Sequence, residues 1–436
     1  MAARAASAAR PSARGARAQA RPRAIANPIE HRMLLTATLC LLAFGAVMVY
    51  SASSARNLLA GQGNGTTYLV RYVAFGAVGL VAMQVLARRG LATLQRLTPV
   101  LLLGSFALLL LVLVPGLGVQ VNGARRWLGA ASLQFQPSEL MKVALVFYGA
   151  QFLATHPRRI RTFRGMLSPM LVVTGAAFAL VAAQPDLGTA LVIAFTVGAL
   201  LVAAGVPLRH LGYVALAGGV LLALFALAEP YQRARLTSFI NPWADKGGAG
   251  FQAVQGQIAL GSGGIFGVGL GQSVQKVFYL PEAHTDFILA VIGEELGVAG
   301  IFGVVCLYGM LAWGGLRTAR RAADPYVKLL AAGLTSLILC QATLNIFVVL
   351  GLAPLTGVPL PFISYGPTNL CVLLASVGLL LNIASGNSVG LRVMDDPAKR
   401  SRRSGPGDAS GQDRDRGGRD GGPRRAGAGG GRRAAS

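Results

Sequence analysis

The sequence predicts an all-α polytopic membrane protein with about ten transmembrane helices and a large extracytoplasmic loop between helices seven and eight. Hydrophobic residues make up 53% of the 436 residues and charged ones only 13%, whereas a soluble domain carries about 25% charged residues. Uncharged stretches such as Leu97–Val114 and Leu211–Ala228 account for the difference. Because about 20 apolar residues cross a hydrocarbon core of about 30 Å, the composition excludes a soluble enzyme.

Ten segments are apolar enough to form these helices, and the flanking charges orient them. Lys and Arg concentrate in the cytoplasmic loops of membrane proteins. A cytoplasmic N-terminus places the basic clusters at 88–96, 158–164 and 317–328 inside, so both termini are predicted to be cytoplasmic. The predicted spans are residues 33–52, 68–87, 97–115, 138–155, 166–183, 188–206, 208–228, 286–313, 327–350 and 366–386.

Half of the formal charge of +24 lies at the two ends of the chain. Residues 1–32 and 391–436 each carry a net charge of +6 in sequence rich in Ala, Gly and Arg. Such segments cannot bury a core, so both are predicted to be disordered cytoplasmic tails, attracted to anionic lipid heads rather than to nucleic acid. Between them, residues 33–390 form the predicted ten-helix domain, in which residues 229–285 are the extracytoplasmic loop.

Basic residues in the segments predicted to lie outside need a separate explanation, because they oppose the charge rule for loops. The simplest role for them is to bind an anion. They are Arg125, Arg126, Arg233, Arg235 and Lys276.

A charged pair opens the fourth predicted helix. Pro137 suits a first helical turn, Glu139 is favourable near the positive end of the helix dipole, and Lys142 follows on the same face. The pair has two interpretations. It is either an ion pair in which the two buried charges neutralise each other, or a lysine that Glu139 holds and directs at a phosphate.

Asp286 begins the eighth predicted span, where an ionisable residue is rare and indicates a functional site. The alternative is a helix cap that accepts backbone N–H groups. His284 and Glu282 lie close enough in sequence to alter its affinity for a proton. Deeper in the same span, Glu294 and its neighbour Glu295 project about 100° apart, so at least one must find a partner inside the bundle, and we expect structural pairing for both.

Two further segments have unusual backbone chemistry. The glycine-rich residues 261–271 lack the features of a P-loop, and they predict either a flexible loop or a close backbone approach to a lipid pyrophosphate. Pro354, Pro359 and Pro361 interrupt the outer end between the last two spans. Irregular backbone at membrane depth survives only where protein or a water-filled cavity shields it, which suggests a crevice that opens outward.

Several long motifs resemble one family across residues 33–386. The chain is similar to the SEDS proteins (shape, elongation, division and sporulation), the group of FtsW, RodA and SpoVE. The matching strings include GARRWL at 123–128, QPSELMKVALV at 136–146, RARLTSFINPWAD at 233–245, GVGLGQSVQKVFYLPEAHTDFILAVIGEELG at 267–297 and LTGVPLPFISYG at 355–366. The run that ends in HTDF is more similar to the FtsW branch than to RodA.

The resemblance implies an inverting glycosyltransferase that polymerises lipid II, the undecaprenyl-pyrophosphate disaccharide-pentapeptide, on the outer face of the bacterial cytoplasmic membrane. It implies Asp286 as the catalytic residue. It also implies a class B penicillin-binding protein as the transpeptidase partner, with other divisome proteins around it. The residues expected to bind substrate or pyrophosphate are Arg125, Arg126, Trp127, Glu139, Lys142, Arg233, Arg235, Gln255, Lys276 and His284.

Some alternatives stay open at this stage. A divalent cation, Mg²⁺ or Mn²⁺, could share the charge of the pyrophosphate, although no metal-ligand set is legible. A RodA-type polymerase for elongation or a lipid II flippase would fit the same family features. The chain also departs from the family pattern, with Pro367-Thr368-Asn369 in place of Gly-Ser-Ser after PFISYG and Phe347 in place of a glycine. Both departures put local packing in doubt more than chemistry.

Overall fold

The structure is a computed structural model, and it describes most of the predicted membrane domain. The tails predicted at 1–32 and 391–436 lie outside the described residues, except that the first helix already begins at Ile29. The described residues are 28–59, 65–121, 124–130, 133–157, 159, 162, 165, 167–228, 230–277 and 279–386.

Every predicted span forms a helix in the described part of the chain, and two additional helices lie in the predicted outer loop. The helices are α1 Ile29–Leu59, α2 Thr67–Arg88, α3 Leu91–Leu113, α4 Pro137–Thr155, α5 Val172–Ala183 preceded by a π-helical turn at Leu167–Leu171, α6 Leu187–Ala203, α7 Leu208–Ala228, α8 Pro230–Ile240, α9 Phe251–Gly263, α10 Ile288–Arg321, α11 Pro325–Val349 and α12 Pro367–Ala384. The predicted all-α polytopic fold is therefore confirmed.

Among the described residues, six helices are long and apolar enough to cross a membrane, namely α1, α2, α3, α10, α11 and α12. Three shorter apolar helices, α5, α6 and α7, add to them. Helix α4 has 19 residues, contains Glu139 and Lys142, and is mostly buried against its neighbours. The chain is thus a multi-pass membrane protein.

A small antiparallel sheet, which the sequence analysis did not predict, lies between α3 and α4. Its strands are β1 Gly118–Val121, β2 Ala124–Ala130 and β3 Leu133–Phe135, paired in the order β1-β2-β3. Trp127 lies opposite Val119 in the ladder. Arg125 lies opposite Gln120, the neighbour of Val119, so Arg126 is the additional residue of an irregularity in the ladder that interrupts the alternation of side chains.

Helices α2 and α12 pack closely because glycines lie at their contact. A Cβ atom on Gly378 would overlap the carbonyl of Met83, and one on Gly79 would meet the side chain of Leu374. Small residues let membrane helices approach closely enough for dense packing. Helices α11 and α12 are mostly buried, whereas α2 and α3 are mostly exposed, so the last helices form the centre of the bundle.

Helix α10 is broken at Gly297, and the glycine-rich segment fills the break. Gly297 has φ +67°, which favours glycine, and the following N–H of Val298 bonds to the carbonyl of Gly264 at 3.0 Å. In return, Val268 N donates to the Glu294 carbonyl at 2.9 Å. The glycines thus allow a close backbone approach, but to α10 rather than to a lipid pyrophosphate. These contacts tie the segment to α10 two to three turns below its first residue.

Side chains reinforce the same contact, and both glutamates expected to need partners have them. Glu295 accepts hydrogen bonds from Lys276 at 2.7 Å and from Ser51 of α1 at 2.7 Å. Glu294 accepts from the backbone of Val274 at 2.9 Å and from the hydroxyl of Ser273. Ser51, Lys276 and Glu295 are buried, so the ion pair and its hydrogen bond to Ser51 join α1 and the residues that follow the glycine-rich segment to α10.

The variant Lys276→Met should lower stability, because it leaves the Glu295 carboxylate buried without its counter-charge, at a cost of about 3–5 kcal/mol. The double variant Lys276→Met/Glu295→Gln removes both charges and should recover most of the loss. Thermal unfolding of the purified protein in detergent measures both.

Lys246→Met is the matched control, since Lys246 is exposed on the outer loop and its loss should leave unfolding unchanged. Equal unfolding temperatures for Lys276→Met and Lys246→Met would contradict the structural role of the pair.

Candidate active site

Asp286 lies in a non-helical turn immediately before α10. The turn closes through a hydrogen bond from Thr285 N to the Glu282 carbonyl at 3.1 Å. The residue at the cap position of α10 is Phe287, and no side chain caps this helix. The structure therefore rejects the interpretation of Asp286 as the cap of α10. Its carboxylate is not used to cap the helix.

The surroundings of Asp286 make it an unusually strong base for an aspartate. Burial, and after it the negative charge of Glu282, raise the pKa of Asp286 to about 6. The hydroxyl of Thr285, 3.2 Å from Oδ1, and the guanidinium of Arg235 act in the opposite direction but are weaker. A carboxylate with this pKa is ionised at neutral pH and still accepts a proton more readily than an ordinary aspartate.

Non-helical backbone between α11 and α12 enters the bundle beside Asp286, and side chains of the helices satisfy its carbonyl groups. Prolines at 354, 359 and 361 carry no N–H, so this segment has fewer buried donors to satisfy. The donor–carbonyl pairs are Arg235 with Leu355 at 3.1 Å, Asn345 with Val358 at 2.8 Å, Gln341 with Pro359 at 3.0 Å, Tyr308 with Pro361 at 2.5 Å, and Tyr72 with Phe362. Protein groups thus shield this backbone, and the crevice that opens outward stays a prediction.

Asn345 connects that segment to the candidate catalytic residue. Its side-chain amide donates to the carbonyls of Asp286 and Val358, each at 2.8 Å. The side chain is 1% exposed. One amide group thereby sets the separation between the Asp286 turn and the proline-rich segment.

The Glu139–Lys142 pair lies in the interior and has a full set of partners. Lys142 Nζ is 2.9 Å from Glu139 Oε2 and 2.7 Å from Gln341 Oε1. Asn369 donates to Glu139 at 2.7 Å. The departure from Gly-Ser-Ser therefore provides a partner for the pair, and Thr368 likewise accepts from the backbone of Gln136 at 3.2 Å.

His284 belongs to an aromatic cluster on the other side of the turn. Its ring centre lies 4.3 Å from that of Tyr68 and 5.8 Å from that of Tyr365. The backbone N–H of Tyr365 donates to the His284 carbonyl at 2.9 Å. The cluster fixes the start of the Asp286 turn against α2 and the segment before α12.

The predicted cations have different environments. Arg126 bonds to the carbonyl of Pro185, and its guanidinium is 3.8 Å from Asp186, so it holds the turn between α5 and α6. Lys142 and Lys276 are neutralised by buried glutamates, whereas Arg235 is close enough to Asp286 to lower its pKa. Arg125 and Arg233 are exposed, and Trp127 and Gln255 are half-buried on β2 and α9.

Three site residues escaped the sequence interpretation: Gln341, Asn345 and Asn369. The first two are four residues apart, which places them on one face of α11. Two amides at this spacing in an apolar span are a signal that the sequence contained. Asn369 could not be recognised in the same way, because its partner is distant in the chain.

Comparison with known proteins identifies the family. A family model described as "Cell cycle protein", that of FtsW, RodA and SpoVE, matches residues 31–388. The chain is 41% identical over 355 residues to "Stage V sporulation protein E" of Bacillus subtilis (strain 168), covering 81% of this chain and 96% of that protein. It is 39% identical over 358 residues to "Probable peptidoglycan glycosyltransferase FtsW" of Geobacter sp. (strain M18), with the same two coverages.

A solved structure agrees with these sequence matches. One chain of a structure described as "Structural coordination of polymerization and crosslinking by a peptidoglycan synthase complex" is 32% identical. It aligns with a TM-score of 0.66 over 80% of this chain and 96% of that one. The protein therefore belongs to the FtsW/RodA/SpoVE family, as its motifs predicted.

Asn345→Leu should abolish or strongly reduce glycan polymerisation, because it removes the amide that positions Asp286 and leaves two buried carbonyls without a donor. Each unsatisfied carbonyl costs about 1–3 kcal/mol, so some stability is lost as well. The measurement is the rate of polymer formation from lipid II by the purified protein.

The variant Asn382→Leu distinguishes the positioning of Asp286 from a general loss of protein stability. Asn382 is also buried and its amide also donates to two carbonyls, those of Leu86 at 2.9 Å and Arg89 at 2.5 Å, at the opposite end of the bundle. It should lose similar thermal stability and keep its polymerisation rate. Equal activity losses in both variants would reduce Asn345 to a packing role.

Proposed function

We propose that this chain is a peptidoglycan glycosyltransferase that polymerises lipid II on the outer face of the cytoplasmic membrane, with Asp286 as the general base. Its membership of the family and the name of its Geobacter relative support the activity. The observation that carries the assignment of the base is the environment of Asp286. It is the aspartate of the HTDF motif, in a non-helical turn, and its pKa is raised to about 6.

The proposed reaction is a single inverting displacement. Asp286 takes the proton of the acceptor GlcNAc 4-hydroxyl while that oxygen attacks the anomeric carbon of the donor MurNAc. The bond from that carbon to the pyrophosphate breaks, and undecaprenyl pyrophosphate leaves with the electron pair. A positioned general base typically contributes about 10²–10⁴-fold to such a rate.

The departing pyrophosphate needs positive charge nearby. Arg235 is the predicted cation whose charge acts on Asp286, and Arg125 and Arg233 are exposed. We assign the anion contact to these three arginines, with Trp127, Gln255 and His284 as further substrate contacts. Four other predicted site residues form ion pairs within the protein, so they support the site by holding its backbone in place. They are Lys142, Glu139, Lys276 and Arg126.

Helix α10 supports the outer location of the site. Asp286 precedes its first turn, and Arg317, Arg320 and Arg321 lie in its last turns. Its 34 residues correspond to a length of about 50 Å, so the two groups are at opposite ends. Because basic clusters favour the cytoplasm, this polarity of α10 supports an outer location for Asp286, and the cytoplasmic location of both termini stays a prediction.

A divalent cation at the site stays a prediction. No three His, Cys, Asp or Glu side chains in the described ranges lie together as metal ligands. We therefore derive no step through Mg²⁺ or Mn²⁺. The dependence of the rate on added Mg²⁺ or Mn²⁺ after treatment with a chelator tests whether either ion takes part.

The same relatives support the proposed cellular role and partners. Relatives named FtsW and SpoVE favour septal wall synthesis over RodA-type elongation, with a class B penicillin-binding protein and other divisome proteins as partners. The solved peptidoglycan synthase complex supports a transpeptidase partner. Depletion of the protein should block septation in the native cell, whereas loss of cell width control would favour the elongation role.

A lipid II flippase is the competing function, and its candidate groups would be Glu294 and Glu295. Ser273 and Val274 bond to the carboxylate of Glu294 and Lys276 pairs with Glu295, which favours a structural role for both acids. Polymerisation of lipid II in detergent separates the two functions, because no second leaflet exists there. Product in detergent supports the enzyme; absence of product with every partner and metal tried, together with lipid II scrambling in liposomes that depends on Glu294 or Glu295, would establish the flippase.

Asp286→Asn should abolish polymerisation in this assay, since the amide keeps the shape of the side chain but cannot take a proton. Asp286→Ala should fail in the same way, while both proteins keep the thermal unfolding and the partner binding of the wild type. Normal polymer from Asp286→Asn would exclude Asp286 as the base.

The wild-type rate should rise with pH through about pH 6. Only the ionised form of Asp286 accepts the proton, and its pKa of about 6 means that this form is lost as the pH falls below that value. Initial rates between pH 4.5 and 8, about 1.5 to 2 pH units on either side of that pKa, measure this limb. A rate that stays constant down to pH 4.5 would contradict the raised pKa.

A further inference from the structure

Glu282 adopts a backbone conformation that is unfavourable for a glutamate. Its φ is +53°, in the left-handed region that favours glycine. It still forms the turn, because its carbonyl accepts from Thr285 N at 3.1 Å. A residue held in a strained conformation next to a reactive group points to a function for its side chain.

The side chain of Glu282 extends to the candidate base. The hydroxyl of Thr285 lies 3.1 Å from Glu282 Oε2 and 3.2 Å from Asp286 Oδ1, so it stands between the two carboxylates. A hydroxyl has one proton and donates to one acceptor at a time. The hydroxyl is uncharged, and its nearest acceptor is the Glu282 carbonyl at 3.0 Å, so the two like charges face each other with no counter-charge between them.

We propose that Glu282 is a positioning residue of the site, which the strained turn holds beside Asp286 so that its negative charge opposes the ionisation of Asp286. This inference rests on the proposed function, in which Asp286 is the base. It adds a second carboxylate to the site, and with it a physical reason for a glutamate at a position where glycine would fit without strain. The carboxylate pair keeps the base strong enough to deprotonate a sugar hydroxyl.

Groups other than Glu282 also surround Asp286 and influence its affinity for a proton. From α8, Arg235 carries the opposite charge and weakens the effect of Glu282. The side of α11 presents the neutral amide of Asn345 to the Asp286 backbone, and Gly357 faces the carboxylate from the proline-rich segment. His284 lies within the same turn, against Tyr68 and Tyr365.

The test compares the pH dependence of polymerisation in three proteins. Glu282→Gln has the same size and meets the same backbone strain but has no charge, so the acid limb should move down by about one pH unit. Its plateau should fall about threefold, since a weaker base transfers the proton less effectively. Glu282→Asp keeps the charge and should restore most of the wild-type limb. An unmoved limb in Glu282→Gln overturns the proposal.

A second variant keeps the test decisive if Glu282→Gln does not fold, as judged by thermal unfolding. Glu282→Gly also removes the carboxylate and suits the φ of +53°, so its acid limb should move down as well, and an unmoved limb would also overturn the proposal. Failure of the proposed function looks different, because Asp286→Asn would then remain active. An inactive Asp286→Asn together with unmoved limbs in the other variants rejects Glu282 alone.

Discussion

The site depends on the satisfaction of backbone carbonyls that have left regular structure inside a membrane bundle. The proline-rich segment between α11 and α12 is non-helical, yet its carbonyls receive hydrogen bonds from Asn345, Gln341, Tyr308 and Tyr72. In a medium without water, each unsatisfied group costs several kcal/mol, so these side chains decide whether the segment can enter the bundle at all. Its entry shields Asp286, and the shielding makes this aspartate a stronger base.

Buried charges serve that architecture in a different way. Lys142 and Lys276 each meet a glutamate, and the further partners of each pair come from distant parts of the chain: Gln341 and Asn369 for the first pair and Ser51 for the second. A buried pair contributes little net stability, but removing one partner is costly, so such pairs specify one arrangement of the helices. The same pairing removes these lysines from the set that can meet a substrate anion. The charge that acts on Asp286 comes instead from Arg235 and Glu282, which lie at the end of the bundle.

The amino-acid sequence by itself determined the helices and the family, and it singled out Asp286 as the candidate catalytic residue. Apolar spans of sufficient length have few alternatives to helix, because a membrane leaves no other way to satisfy the backbone. Long motifs, such as the one that contains Asp286, can likewise be recognised from the order of the residues alone, without knowledge of how the chain packs. The small sheet around Trp127 was missed because short strands between helices carry little periodic signal.

Only the tertiary structure decided which charges are used inside the protein and which remain for a substrate. Glu139 and Asn369 are 230 residues apart, and Ser51 and Glu295 are 244 residues apart, yet each pair shares a hydrogen bond. The sequence also could not give the direction of the pKa change at Asp286. Burial and neighbouring negative charges raise the pKa of a carboxyl group, whereas neighbouring positive charges lower it. Those are properties of distance and solvent exposure, which exist only once the helices have packed.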